Sequence, residues 1–206
     1  MKDATVYVID DEQDVRDALR MLIKSVGLPV ETFESALEFL DDYELDQPGC
    51  IVADIRMPGM SGLDLQQKLN AMGALIPVII ISGHADVPTA VRAIQDGAVD
   101  LLEKPFSDQL LLDKIQNAIR KDHESRVSHA EQSHLLRLYD SLTPREREIM
   151  AAVLVGKMNK VIAYELQITT RTVEMHRSHI MEKMGAKCLA DLLRFAQELD
   201  LLHGDP

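Results

Sequence analysis

Residues 50 to 62 read Cys-Ile-Val-Ala-Asp-Ile-Arg-Met-Pro-Gly-Met-Ser-Gly, and this stretch decides the fold. Cys50, Ile51, Val52 and Ala53 form an apolar run of the length and kind found in a strand buried on both faces. A single carboxylate, Asp54, stands where that strand ends. Pro58-Gly59 makes a turn, and Ser61-Gly62 opens the next segment. In open parallel α/β sheets, ligands bind in the crevice beyond the carboxyl ends of the strands, so Asp54 is placed to meet one.

Working outward, the same unit repeats. Val6-Tyr7-Val8-Ile9 is a short apolar run ending in Asp10-Asp11-Glu12, followed by Val15, Leu19, Leu22, Ile23 and Val26 at helical spacing, with Gly27 as the stop. Pro29 to Phe33 suits an edge strand, and Ser35 can cap a short helix holding Leu37, Phe39 and Leu40. After the opening stretch come a helix through Leu65, Leu69 and Met72, a strand from Pro77 to Ile81 ending in Ser82-Gly83-His84, and a helix through Val87, Val91 and Ile94 closing at Gly97. A strand from Val99 to Glu103 ends in Lys104-Pro105, and Leu111, Ile115 and Ile119 mark a fifth helix. Five strand-helix units predict a five-stranded, doubly wound parallel sheet with helices on both faces and right-handed crossovers. Asp10, Asp11, Asp54, Ser82 and Lys104 then all fall at its carboxyl edge.

Residues 122–141 are polar, lack Pro and Gly and are good helix formers, which predicts a linker that continues the fifth helix. Leu135, Leu138 and Leu142 give it a partial apolar stripe, either for self-association or for packing on a neighbour. His123, His129 and His134 lie here without metal-ligand spacing and read as solvated helix residues. From Leu142 onward the pattern is helical only. Thr143-Pro144-Arg145-Glu146 is a capping box with Pro at the first helical position. Gly156 ends that helix, Asn159 to Leu166 is a second, Gln167-Ile168-Thr169 is a tight turn, and Thr170 to Met184 is a third, stopped by Gly185. A fourth runs from about Leu189 to Leu201. Helix, three-residue turn and longer helix is a helix-turn-helix, here within an all-α domain of four helices.

Composition narrows the function. The 206 residues carry a net charge of −12, but the excess is confined to the first part of the chain: residues 1–122 have net −11 and residues 143–206 net 0. The local balance of the domain that meets phosphates is the relevant one. No apolar run approaches the roughly 20 residues of a membrane span, and the first residues lack a secretory signal, so a cytoplasmic location without membrane contact is expected. Cys50 and Cys188 give neither a disulfide framework nor a metal site.

Three acids facing one another offer hard oxygen ligands suited to Mg²⁺, which takes one or two carboxylates plus a phosphate. With that charge balanced, Asp54 can act as a nucleophile toward a phosphoryl group. Lys104 would counter the added negative charge, and Ser82 would donate to a phosphoryl oxygen. A haloacid-dehalogenase-type phosphatase is the rival from another class, but such enzymes need Asp-x-Asp after the first strand, where this chain has Asp10-Asp11-Glu12.

Asp10-Asp11, Asp54 in its Asp-Ile-Arg-Met-Pro-Gly-Met-Ser-Gly context, Ser82-Gly83-His84 and Lys104-Pro105-Phe106 resemble the receiver domain of two-component response regulators over residues 1–121. The resemblance implies a flavodoxin-like sheet of order 2-1-3-4-5 and phosphorylation of Asp54 by a sensor histidine kinase. It also implies metal ligation by Asp11 and Asp54, with Asp10 through water and the Arg56 carbonyl contributing, and a cis peptide before Pro105. Such domains usually carry Tyr or Phe three residues before the lysine; here the position is Leu101, so a weaker switch is expected.

Residues 142–206 resemble the LuxR-type helix-turn-helix through Leu142-Thr143-Pro144-Arg145-Glu146-Arg147-Glu148, Asn159-Lys160, Ile162-Ala163 and Arg171-Thr172-Val173-Glu174-Met175-His176-Arg177. The whole chain is thus similar to the NarL/FixJ class, closer to FixJ. This implies a phosphorylation-dependent homodimer on paired half-sites of double-stranded DNA, with RNA polymerase a further candidate partner. Val173, Ile180 and Met184 fall inward on the third helix, and Arg171, Glu174, Met175, Ser178 and Glu182 outward, toward the major groove. Lys160, Arg171, Arg177, Lys183 and Lys187, with Thr169, Thr170 and Thr172, are the candidate phosphate contacts. Glu174 is expected to accept from a cytosine. Cys188 stands where Ser usually caps the fourth helix, a loss of about 1 kcal/mol. A helix-turn-helix that has lost DNA and serves a protein adaptor is the remaining rival.

Overall fold

The computed structural model describes residues 4–83 and 87–201. The chain divides into two compact units, Met1–Arg126 and Val127–Pro206. The first holds β1 (Thr5–Ile9), α1 (Gln13–Ser25), β2 (Val30–Phe33), α2 (Ala36–Asp42), β3 (Gly49–Asp54), α3 (Gly62–Ala71), β4 (Val78–Ser82), α4 (Val87–Gln95) and β5 (Asp100–Glu103), followed by α5 (Asp108–Asp140). The five strands are parallel in the order β2-β1-β3-β4-β5, with β2 at an edge.

Strand β3 is buried along its whole length, as its unbroken apolar run requires. Alternate residues feed two cores. Ile51 and Ala53 join Phe39, Leu65, Leu69 and Ala93 on one face, while Cys50 and Val52 join Leu19, Ile23, Leu111 and Ile115 on the other. Burial pushes the Cys50 thiol up, so it stays protonated. Ser35 caps α2 by accepting from the Glu38 amide. Gly62 opens α3 hard against the end of β3: a Cβ there would press on the Asp54 carbonyl and the Ile80 side chain. That contact fixes where the Pro58-Gly59 turn brings the chain back.

Four helical stripes differ from their sequence reading: Val26, at the end of α1, is exposed. Leu37 and Met72 are exposed, and on α4 all of Val87, Val91 and Ile94 are exposed, at 76%, 49% and 52%, while Ala93 is buried. α4 therefore packs through its small residue and turns its large apolar side chains to solvent. Of the stripe Leu135, Leu138 and Leu142, by contrast, Leu138 and Leu142 pack within the second unit in the core that holds Ile149, Ile180 and Leu192, and Leu135 is buried.

The end of the first unit lies inside α5. Asp122, 2% exposed, accepts from the Gly49 amide at 3.0 Å and from Arg126 Nε at 2.8 and 2.9 Å. Arg126 Nη2 donates to the Gln47 carbonyl at 2.6 Å. These bonds tie α5 to the turn that feeds β3.

The second unit holds α6 (Pro144–Leu154), α7 (Asn159–Glu165), α8 (Thr170–Met184) and α9 (Leu189–Glu198). Thr143 and Glu146 form the reciprocal capping box at the start of α6, with Pro144 at the first helical position. Val173, Ile180 and Met184 are the buried residues of α8, and Gly185 closes it at φ 66°. At α9 the Asp191 carboxylate accepts from the amides of Lys187 and Cys188.

Candidate functional site: an acidic sheet edge and a helix-turn-helix

The carboxyl ends of β1, β3, β4 and β5 bring five polar residues together. Asp54 is 8% exposed and Asp10 only 2%, so neither is a solvated loop acid. Lys104 bridges them, with Nζ 2.7 Å from Asp54 Oδ1 and 3.2 Å from Asp10 Oδ2. The other oxygen of Asp54 accepts from the Arg56 amide at 2.7 Å, and Asp10 Oδ1 accepts from the Glu12 amide at 2.9 Å. Each carboxylate thus uses one oxygen for the lysine and one for the local backbone. That holds both in a fixed orientation.

Electrostatics follow from burial. Desolvation raises the Asp10 carboxyl above its ordinary value, against the lowering effects of the Glu12 amide and Lys104. Burial alone would lower the Lys104 ammonium, but the hydrogen bond to Asp54 and the charge of Asp10 outweigh it, and its pKa is raised. The lysine therefore remains charged at neutral pH. Asp11 and Arg56 are exposed at the rim. Among the described residues, Asp10, Asp11 and Asp54 do not present ligand oxygens all within 4.8 Å of one another.

Ser82 is fully buried at the end of β4, one residue past Ile81, which pairs with Asp54. Its carbonyl accepts from the Lys104 amide at 2.7 Å, joining the serine and lysine positions directly. The Lys104–Pro105 peptide is cis. Leu101 pairs with Ile80 across β4–β5 and lies half-buried against the core that contains Ala93 of α4. His84 lies outside the described residues.

On α8, Arg171, Glu174, Met175 and Ser178 are all exposed on one face, with Lys160 exposed on α7. Thr169 caps α8 by accepting from the Thr172 amide, and the two hydroxyls meet at 2.8 Å. Thr170 is half-buried beside them. Two bases are engaged within the unit. Lys183 Nζ lies 2.7 Å from Glu146 Oε2, and Arg177 Nη1 donates to Asn159 Oδ1 at 2.7 Å. Neither bond was legible from sequence, because a base near a helix reads alike whether it meets a phosphate or a carboxylate. Lys160 and Arg171 have no ion pair among the described residues and remain available to phosphate.

A flavodoxin-like sheet with this edge, joined to a helix-turn-helix, matches two families. Residues 6–116 match the response regulator receiver domain and residues 140–196 the luxR family of bacterial regulatory proteins. The chain belongs to the NarL/FixJ class of response regulators. It is 43% identical to Nodulation protein W of Bradyrhizobium diazoefficiens, covering 96% of this chain and 87% of that protein. It is 41% identical to the transcriptional regulatory protein FixJ of the same organism, over 96% and 97%. Among solved structures, response regulator StyR superposes with a TM-score of 0.86 at 43% identity, over 95% of this chain and 99% of that one. Full-length FixJ from B. japonicum gives 0.58 at 40%, over 98% and 100%. This response regulator is a phosphorylation-dependent transcription regulator with a LuxR-type DNA-binding domain. A sensor histidine kinase and DNA are the partner classes of its two domains. No described helix is long and apolar enough to cross a membrane.

Proposed function

We propose that Asp54 accepts the phosphoryl group, and that the phosphorylated chain dimerises and binds paired half-sites on DNA. The observation that carries this is the Lys104 ammonium seated between Asp54 and Asp10, with Ser82 on the neighbouring strand. An oxygen of Asp54 attacks the phosphorus of a phosphohistidine on the kinase. A P–O bond forms, the P–N bond breaks, and the kinase imidazole leaves with the electron pair. Lys104 stays on the added negative charge, and the Ser82 hydroxyl donates to a phosphoryl oxygen. Asp54 is also where the group is lost, by attack of water on the acyl phosphate; the chain turns over no other substrate.

The donor set fits Mg²⁺, since Asp10, Asp11 and Asp54 are hard oxygen donors and the desolvation of Asp10 favours a nearby positive charge. Asp11, Asp54 and the Arg56 carbonyl would hold it directly and Asp10 through water; when bound it supplies charge neutralisation for the incoming phosphoryl group.

Residues 1–121, with Asp122 and Arg126 of the following helix bonded to them, are the receiver, the rest of 122–141 is the helical linker and 142–206 the DNA-binding domain of a cytoplasmic regulator. Leu101, on the strand that α4 packs against, reports the phosphorylation to the exposed face of Val87, Val91 and Ile94, which is the dimer surface. Lys160, Thr170, Arg171 and Thr172 take phosphate, and Glu174, Met175 and Ser178 face the bases, while RNA polymerase is a further partner. Arg177 and Lys183 support α8 from within.

The test is footprinting on genomic DNA with a small-molecule phosphodonor, with Asp54→Asn as control. Protection of two half-sites that requires both donor and Asp54 is expected. Equal protection by Asp54→Asn in the presence of donor would sink the proposal.

A further inference from the structure

Away from both sites, three potential ligands converge in the helical unit. One ligand atom each from Glu146, His176 and His179 lie within 4.8 Å of one another. We propose that these residues form a site for one divalent transition-metal cation of the zinc class, linking the first turn of α6 to α8.

His176 and His179 are three residues apart, so both project from one side of α8, and Glu146 reaches them from the start of α6. Two imidazoles and a carboxylate are the donor set that zinc, cobalt and nickel prefer over Mg²⁺ or Ca²⁺. Ligands on a tetrahedral zinc stand about 3.4 Å apart, from bonds of about 2.1 Å, so the ligand atoms need to close by at most about 1.4 Å, within the reach of side-chain rotation. Water would complete the coordination.

Two further observations point to a ligand. His176 is half-buried, and its Nδ1 is sealed from solvent without a hydrogen-bond partner. A buried ring nitrogen of that kind calls for a partner, which for the unprotonated tautomer is a cation, a water or a donor, and the described residues supply none. The Glu146 carboxylate is also unevenly used. Oε2 accepts from the Thr143 amide at 2.8 Å, the Thr143 hydroxyl at 3.0 Å and Lys183 Nζ at 2.7 Å, whereas Oε1 takes none of these bonds. Three partners on one oxygen fix the plane of the carboxylate, as supporting bonds do around metal ligands. Lys183 opposes a cation by its charge and so sets the affinity below that of a closed structural site. His179 is exposed, which leaves a path from solvent.

The experiment uses the untagged full-length chain in excess Mg²⁺, which saturates the receiver acids, and measures zinc by competition with a chromophoric chelator. One equivalent of zinc per chain is expected. His179→Ala and His176→Ala should each weaken it at least tenfold, while His134→Ala and Cys188→Ser leave it unchanged. Lys183→Met should tighten it. Circular dichroism checks that each variant folds, and His179→Ala, at an exposed position, carries the test if His176→Ala does not. Failure to retain zinc over Mg²⁺, unaltered affinity in His179→Ala, or zinc lost in the His134 or Cys188 variant would overturn the site.

Discussion

Replacing Asp122 by Ala should loosen the receiver from its far end, distant in sequence from Asp54. The carboxylate is buried, accepts from the Gly49 amide, and pairs with Arg126, whose side chain is only 17% exposed. Its removal leaves a buried N–H without a partner and a guanidinium short of its counter-charge. Breaking a buried pair from one side costs about 3–5 kcal/mol; because Arg126 keeps its bond to the Gln47 carbonyl, the lower end, about 3 kcal/mol, applies. Native-state hydrogen exchange reads the receiver separately from the helical unit. Amides of β1 and β3 that exchange by global opening should exchange roughly a hundredfold faster in Asp122→Ala, since each 1.4 kcal/mol is about tenfold. Asp122→Asn, which can still accept from Gly49, should lose only about 1–2 kcal/mol. Exchange within about threefold of the parent in Asp122→Ala would show that α5 is not what holds the start of β3, and the assigned energetics would fail.

Leu101→Phe should strengthen phosphorylation-dependent dimerisation, because a ring at that half-buried position changes more buried surface between states; sedimentation with and without phosphodonor measures it, and an unchanged difference refutes it. Glu174→Ala should relax discrimination at a single C·G pair by about 1–3 kcal/mol, read by binding to a panel of mutated half-sites; full discrimination at every base rules the contact out. The Asp64 carboxyl is held below its ordinary value by hydrogen bonds from the Ser61 hydroxyl and amide. Its folded pKa being depressed, the contribution is present above the unfolded pKa and is lost as pH falls through the folded one. In Ser61→Ala the Asp64 resonance should titrate closer to the usual range by NMR; no change would mean that the capping box does not set it.

The sheet was readable because buried parallel strands leave unbroken apolar runs such as Cys50–Ala53, and because every run but that of β2 ends in a polar residue of the carboxyl edge. The strand order follows from resemblance to the receiver family, and the sheet has that order. Periodicity located α4 but could not say what covers it: Val87, Val91 and Ile94 have helical spacing whether they face a core or water. The same ambiguity ran the other way at Leu138 and Leu142, which pack inside the second unit. Partners far apart in sequence left no trace at all. Asp122 reads as one more linker acid until Gly49 is beside it, 73 positions away, and Lys183 as one more base until Glu146 is.

With the exposed face of α4 as the proposed dimer surface, the amount of protein becomes a second input to the switch. On that surface Val87, Val91 and Ile94 are exposed, and the apolar area that association would hide there contributes to it. On that proposal phosphorylation shifts a monomer–dimer equilibrium whose position also depends on concentration. A cell that raises the level of this chain lowers the phosphorylated fraction needed to fill an operator, and one that dilutes it raises that threshold, with no change in the kinase.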